Sequence, residues 1–143
     1  MIKHGGPFPD HCMDNTKGFE KITETNISNS IRIPHDLTQQ DLNIMLSKEI
    51  KAVYFEKQSY DIFTNPLFLK FLQLNKIKKA VIYGVATDFC VKAAVLGMRK
   101  YNVKCHLVED AIKGVFEDKT KEAIMEMKKT GVKFVKTSDI INK

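Results

Sequence analysis

The sequence has no apolar run approaching the roughly 20 residues that a membrane-spanning helix needs. Its opening, Met-Ile-Lys-His-Gly-Gly-Pro, lacks the apolar stretch of a secretory signal. Both absences point to a soluble, cytoplasmic protein with no membrane partner. Cysteine is scarce. Cys12, Cys90 and Cys105 form an odd set with no paired spacing. That argues against a disulfide framework and against a C-x-x-C metal knuckle. Arginine-rich stripes and aromatic-basic interleaving are also missing. The net charge of +6, from 23 basic and 17 acidic residues, raises nucleic acid as a partner class. The lysines are spread along the chain, however, with short clusters at 76–79 and 128–129. The expectation is a lysine-rich solvated surface and no nucleic-acid partner.

What is present suits one globular domain over 1–143: 143 residues, 43% hydrophobic and 28% charged. Residues 1–35 are rich in Gly, Pro, Asn, Asp and Thr and read as an irregular lead. From 36 to 143 helices and strands alternate. Strands are expected at 52–55, 80–83, 105–108 and 132–135. Helices are expected over 38–48, from Asn65-Pro66 to about 75, over 90–101, and from about 118 to a stop at Gly131. Asn suits a cap and Pro suits a first helical turn. The strands are apolar runs rather than alternating patterns, which predicts parallel pairing with helices on both faces. The expected fold is α/β, a three-layer αβα arrangement around a mainly parallel sheet.

Open α/β sheets gather ligands at the carboxyl ends of their strands. Three such ends stand out: Phe55-Glu56-Lys57, Tyr83 to Cys90, and Val108 to Ala111. In the second, a strand runs into Gly84 and a short connection opens a helix carrying Cys90. A thiol there feels the positive end of the helix macrodipole, which favours a nucleophile. Free N–H groups at the same place can receive an oxyanion. Position alone leaves a second reading open, in which Cys90 is a small buried hydrophobe. Lys57 points into the same rim or lies exposed at its strand end. Cys105, inside a strand, is expected to be structural, as are His35 and His106. Asp10, His11 and His4 offer metal-ligating types in a stiff loop, without diagnostic spacing.

Three segments together resemble one family. Gly84-Val85-Ala86-Thr87-Asp88-Phe89-Cys90-Val91-Lys92 is similar to the nucleophile motif of isochorismatase-like cysteine hydrolases, nicotinamidases in particular. Lys57-Gln58-Ser59-Tyr60-Asp61-Ile62-Phe63 resembles the segment holding that family's catalytic lysine. Phe8-Pro9-Asp10-His11-Cys12 resembles its aromatic-Pro-x-His-Cys loop, and Asp110-Ala111 and Gly114-Val115 also fit. The resemblance implies amide hydrolysis through a Cys90 thioester, as in the conversion of nicotinamide to nicotinate and ammonia. It makes Lys57 the partner of the thiolate. The N–H groups of Ala86 and Cys90 become an oxyanion hole, with a cis bond at Val85–Ala86. Phe8 and Tyr60 become pocket walls. His11 becomes a ligand to one divalent metal, zinc, iron or manganese, with no organic cofactor. The implied partner is a small-molecule amide, and a homo-oligomer stays open.

The departures are as specific. The family's first strand ends in an Asp-x-Gln-type motif that supplies the general base, and its second strand brings an Asp-x-His metal pair. This sequence opens just after both. Asn15 stands where the family has Gly. The chain is therefore a piece of a longer enzyme, a shortened paralogue that binds without turnover, or a chain whose sheet a partner completes. Within the enzyme class a different small amide is the alternative substrate. The vinyl-ether branch of the family lacks the cysteine, so Cys90 argues against it.

Overall fold

Short apolar runs with few polar interruptions pair here as parallel strands. The computed structural model describes Pro9, Met13, 16–38, Gln40, Leu42 and 50–142. Its contacts group into two units, Met1–Ser59 with Thr64–Leu67, and Tyr60–Phe63 with Phe68–Lys143. The helix expected over 38–48 falls largely outside the described residues.

In the first unit, single 3-10 turns at Lys17–Phe19 and Thr23–Thr25 precede strand β1, Ser30–Ile33. β1 pairs in parallel with β2, Ala52–Phe55, in the register Ser30↔Ala52 through Ile33↔Phe55. The composition of 1–35 reads as loop, so β1 is an element the sequence concealed. Its apolar positions are only Ile31 and Ile33, and Pro34 follows at once. Ile33 and Leu42 are fully buried in this unit.

Helix α1, Pro66–Leu74, begins in the first unit and continues into the second. The second unit holds β3 (Lys79–Val85), α2 (Lys92–Lys100), β4 (Lys104–Lys113), α3 (Glu117–Lys129), β5 (Lys133–Val135) and the short α4 (Ser138–Ile141). Its sheet has the order β3-β4-β5 with both pairings parallel. The observed class is α/β with parallel sheets, as expected.

The core of this unit joins Val91 and Val95 to Cys105, Leu107, Ala123, Met127 and Val132, with Ile82 and Phe134 packed against them. One sheet face thus meets α2 and α3. Helix α3 carries Glu117 and Asp118 in its first turn and Lys128 and Lys129 in its last, each favourable with its dipole. Gly131, at φ +77°, follows its end, as the sequence predicts. On β3 exposure alternates along the strand: Ala80 and Ile82 are half-buried, while Val81, Tyr83 and Val85 are 39, 72 and 70% exposed. An apolar run expected to be covered on both faces therefore shows apolar side chains to solvent on one.

Candidate active site

The carboxyl end of β3 departs from regular strand geometry in three successive steps. Gly84 sits at φ +118°, a conformation that side-chain-bearing residues rarely adopt. The Val85–Ala86 peptide bond is cis, as the resemblance implies. Residues Thr87–Val91 then form one π-helical turn that leads directly into α2. The helix expected to start at Cys90 starts instead at Lys92, with Cys90 in the turn before it. Ala86 closes this turn, its carbonyl accepting from the N–H groups of Phe89 (3.1 Å) and Val91 (3.0 Å). Cys90 is half-buried.

The strand beside β3 shapes the same region. β4 pairs through Ile82↔Leu107 and resumes only at Gly84↔Ile112, so four β4 residues stand opposite Tyr83 alone. The bulge re-aims the chain, and the 114–116 connection reaches the Cys90 turn. Gly114 permits its close course, since a Cβ there would overlap the Thr120 side chain. Asp88, only 6% exposed, takes both N–H groups at the entry of α3. Its Oδ1 accepts from Val115 and its Oδ2 from Phe116, each at 3.0 Å. Burial pushes the Asp88 carboxyl up. The N–H groups of Phe116 and Val115, with smaller help from Lys119, outweigh that push and hold it below its ordinary value.

Aromatic rings border the turn. Tyr60 and Phe89 lie with centroids 5.0 Å apart and tilted by 52°, and Phe89 and Phe116 lie 6.1 Å apart. Tyr60 is thus placed against the residue preceding Cys90. Thr87, 1% exposed, has a hydroxyl with no hydrogen-bond partner among the described residues.

Lys57 belongs to the first unit, and Cys90, Ala86 and Tyr60 to the second. Lys57 follows β2, and its Nζ donates to the Ser59 carbonyl at 2.8 Å. Asn65 fixes this strand end. Fully buried, it caps α1 by accepting from the Leu67 N–H at 3.0 Å. Its Nδ2 donates to the carbonyls of Glu56 (2.8 Å), Ile33 (3.2 Å) and Pro34 (3.4 Å).

The family follows from a match over most of the chain. Residues 15–139 match the isochorismatase domain. The chain belongs to the isochorismatase family. A family member from Dictyostelium discoideum, isochorismatase family protein 2A, is 24% identical over 125 residues, covering 77% of this chain and 62% of that protein. The crystal structure of a pyrazinamidase of Pyrococcus horikoshii in complex with zinc superposes with a TM-score of 0.66 at 31% identity. It covers 92% of this chain and 64% of its own. The structure of PnC1 from L. infantum in complex with nicotinate shares the fold, with a TM-score of 0.68 at 24% identity, over 96% of this chain and 65% of that one. The chain thus spans less than two thirds of the length of these relatives.

Within this isochorismatase-family chain, Phe8 and His11, with His4 and Cys12, lie outside the described residues. Among the described residues no three His, Cys, Asp or Glu side chains cluster to hold a metal ion. No helix among them is long and apolar enough to cross a membrane. Cys105 is 2% exposed, and burial pushes its thiol up, in keeping with a structural residue. Sequence reasoning passed over Asp88 and the ring of Phe116. The signal for Asp88 was its place two residues before Cys90, but its partners lie 27 and 28 residues further on.

Proposed function

We propose that this chain carries the reaction centre of a cysteine-dependent amidohydrolase of the nicotinamidase type. The observation supporting it most is the turn after β3, where a half-buried Cys90 sits beside the Tyr60–Phe89 ring pair. The likeness to a pyrazinamidase at 31% identity supports the same reading.

In this reading the Cys90 thiolate adds to the carbonyl carbon of a small aromatic amide. The carbonyl oxygen becomes an oxyanion received by the N–H groups of Ala86 and Cys90. The C–N bond breaks, the nitrogen leaves as ammonia after gaining a proton, and a thioester to Cys90 remains. Water then attacks that thioester, releasing the carboxylic acid and restoring the thiol. The family resemblance assigns Lys57 to the thiolate and the charged intermediates. Tyr60, paired with Phe89 beside Cys90, offers a ring to the aromatic substrate. Nicotinamide and pyrazinamide are the substrates to try.

The test combines ammonia release from both amides with alkylation of Cys90, for the chain and for Cys90→Ala. Release that Cys90→Ala abolishes is the expected result. Protection of Cys90 from alkylation by nicotinamide, without ammonia release, would indicate binding without turnover. The reading is refuted by release that survives Cys90→Ala. It is equally refuted by absence of both release and protection.

A further inference from the structure

We propose that Asp88 is a positioning residue, a latch that ties the turn carrying Cys90 to the entry of α3. The inference rests on the reading of Cys90 as the nucleophile. The turn closes on the Ala86 carbonyl, runs into α2 through the Lys92 N–H, and packs Val91 in the core. Asp88 adds a side-chain tie from the turn to the entry of α3. Both carboxylate oxygens are used, each on a different backbone N–H, at 3.0 Å. Two bonds from one rigid carboxylate fix direction as well as distance. The residue is 6% exposed, so the bonds are shielded from competing water.

The far end of the latch is also well chosen. Phe116 is the N-cap position of α3, a helix of 13 residues, and Val115 precedes it, so Asp88 takes the two backbone N–H groups just ahead of the first helical turn. It thereby anchors the chain where it enters that helix. Phe116 moves with this anchor, and its ring lies 6.1 Å from that of Phe89, next to Cys90. Loss of the latch frees the turn and slackens one aromatic wall together. A misplacement of about 1 Å in a reacting group can cost on the order of 100-fold in rate, so a loosened turn has a measurable consequence.

The experiment compares two reagents at Cys90, read on the Cys90 peptide by mass spectrometry so that Cys12 and Cys105 do not contribute. Iodoacetamide carries a carboxamide that the site can orient. Methyl methanethiosulfonate carries none and reports thiol access alone. The quantity measured is the ratio of the two rates. In Asp88→Ala we expect that ratio to fall about tenfold relative to wild type. Asp88→Asn, which keeps one acceptor of the two, should fall between them, and it serves if the alanine variant folds poorly. General destabilisation raises both rates together, so Val135→Ala, a buried position on β5 outside the cluster that holds Val91, should leave the ratio unchanged. An unchanged ratio in both Asp88 variants overturns the latch. So does an equal fall in Val135→Ala. A wild-type ratio identical to that of the urea-unfolded chain overturns the reading of Cys90 itself, and the latch with it, and that failure is visible before any variant is made.

Discussion

Replacing Asn65 by alanine should destabilise the chain by about 3 kcal/mol. Its side chain is fully buried and joins three segments: the end of β1, the end of β2 and the start of α1. Loss of the cap to the Leu67 N–H costs about 1 kcal/mol. The carbonyls of Glu56 and Ile33 also lose their amide donor, at about 1 kcal/mol each. The Pro34 contact, at 3.4 Å, adds little. Against a total stability of about 5–15 kcal/mol, that loss is large. Urea unfolding followed by circular dichroism should show a lower midpoint with an unchanged slope. Asn65→Asp separates the two roles. It keeps the cap but points a carboxylate at three carbonyl oxygens, so it should be at least as destabilising as alanine. A loss below 1 kcal/mol for alanine, or an aspartate variant as stable as wild type, would refute the account. The prediction bears on the site as well, because the Glu56 carbonyl held by Asn65 precedes Lys57 directly.

Thr87→Val should be neutral or stabilising, by up to about 1 kcal/mol in thermal or urea unfolding, because the buried hydroxyl it removes has no partner among the described residues. Tyr83→Thr and Val85→Thr should change stability by less than about 0.5 kcal/mol. They should reduce binding of an apolar fluorescent dye, since the side chains are 72 and 70% exposed. Acidification should weaken the second unit. Asp88 and Asp110 both sit below their ordinary carboxyl value of 3.8, Asp110 because the Thr137 N–H hydrogen-bonds it. A depressed folded-state value means stability that is fully present above about pH 4 and is lost as pH falls through the folded value. Asp88→Asn should therefore unfold with less dependence on pH below 4 than wild type, in acid titrations followed by circular dichroism.

The elements that the sequence made legible are those whose cause is local. Helix α3 has acids at its start, bases at its end and Gly131 beyond it, and each signal acts within a few residues. The cap at Asn65-Pro66 is equally local, and α1 begins where that pair predicts. The elements that stayed hidden depend on distant partners. β1 becomes a strand because Ser30–Ile33 finds Ala52–Phe55 some twenty residues later, and four residues ending at Pro34 carry too little pattern to announce it. The three carbonyls gathered by Asn65 come from separate segments, so only its capping half was readable. Tyr83 and Val85 misled for the opposite reason. An apolar run predicts burial on both faces, while exposure depends on which other segments reach the strand.

The same division explains why the turn carrying Cys90 was readable and its support was not. The turn is a contiguous motif, so the bend at Gly84 and the place of Cys90 after it can be read from residue order, while the cis bond at Val85–Ala86 came only with the family resemblance. What holds the turn comes from elsewhere in the second unit: the β4 bulge that sends the chain back, the glycine that lets residues 114–116 pass, and the two N–H groups that Asp88 takes. Each is ordinary on its own. Gly114 is one glycine among 7, and Asp88 one acid among 17 acidic residues. Only their convergence on one turn gives them meaning, because a thiol held by a single flexible connection could not keep the direction that attack on a carbonyl needs. The Asp88 bonds to Val115 and Phe116 lie within the second unit, whereas Asn65 holds the Glu56 carbonyl, next to Lys57, in the first. Variants in the Asn65 cluster and variants at Asp88 therefore probe different parts of the proposed chemistry, the setting of Lys57 and the setting of Cys90.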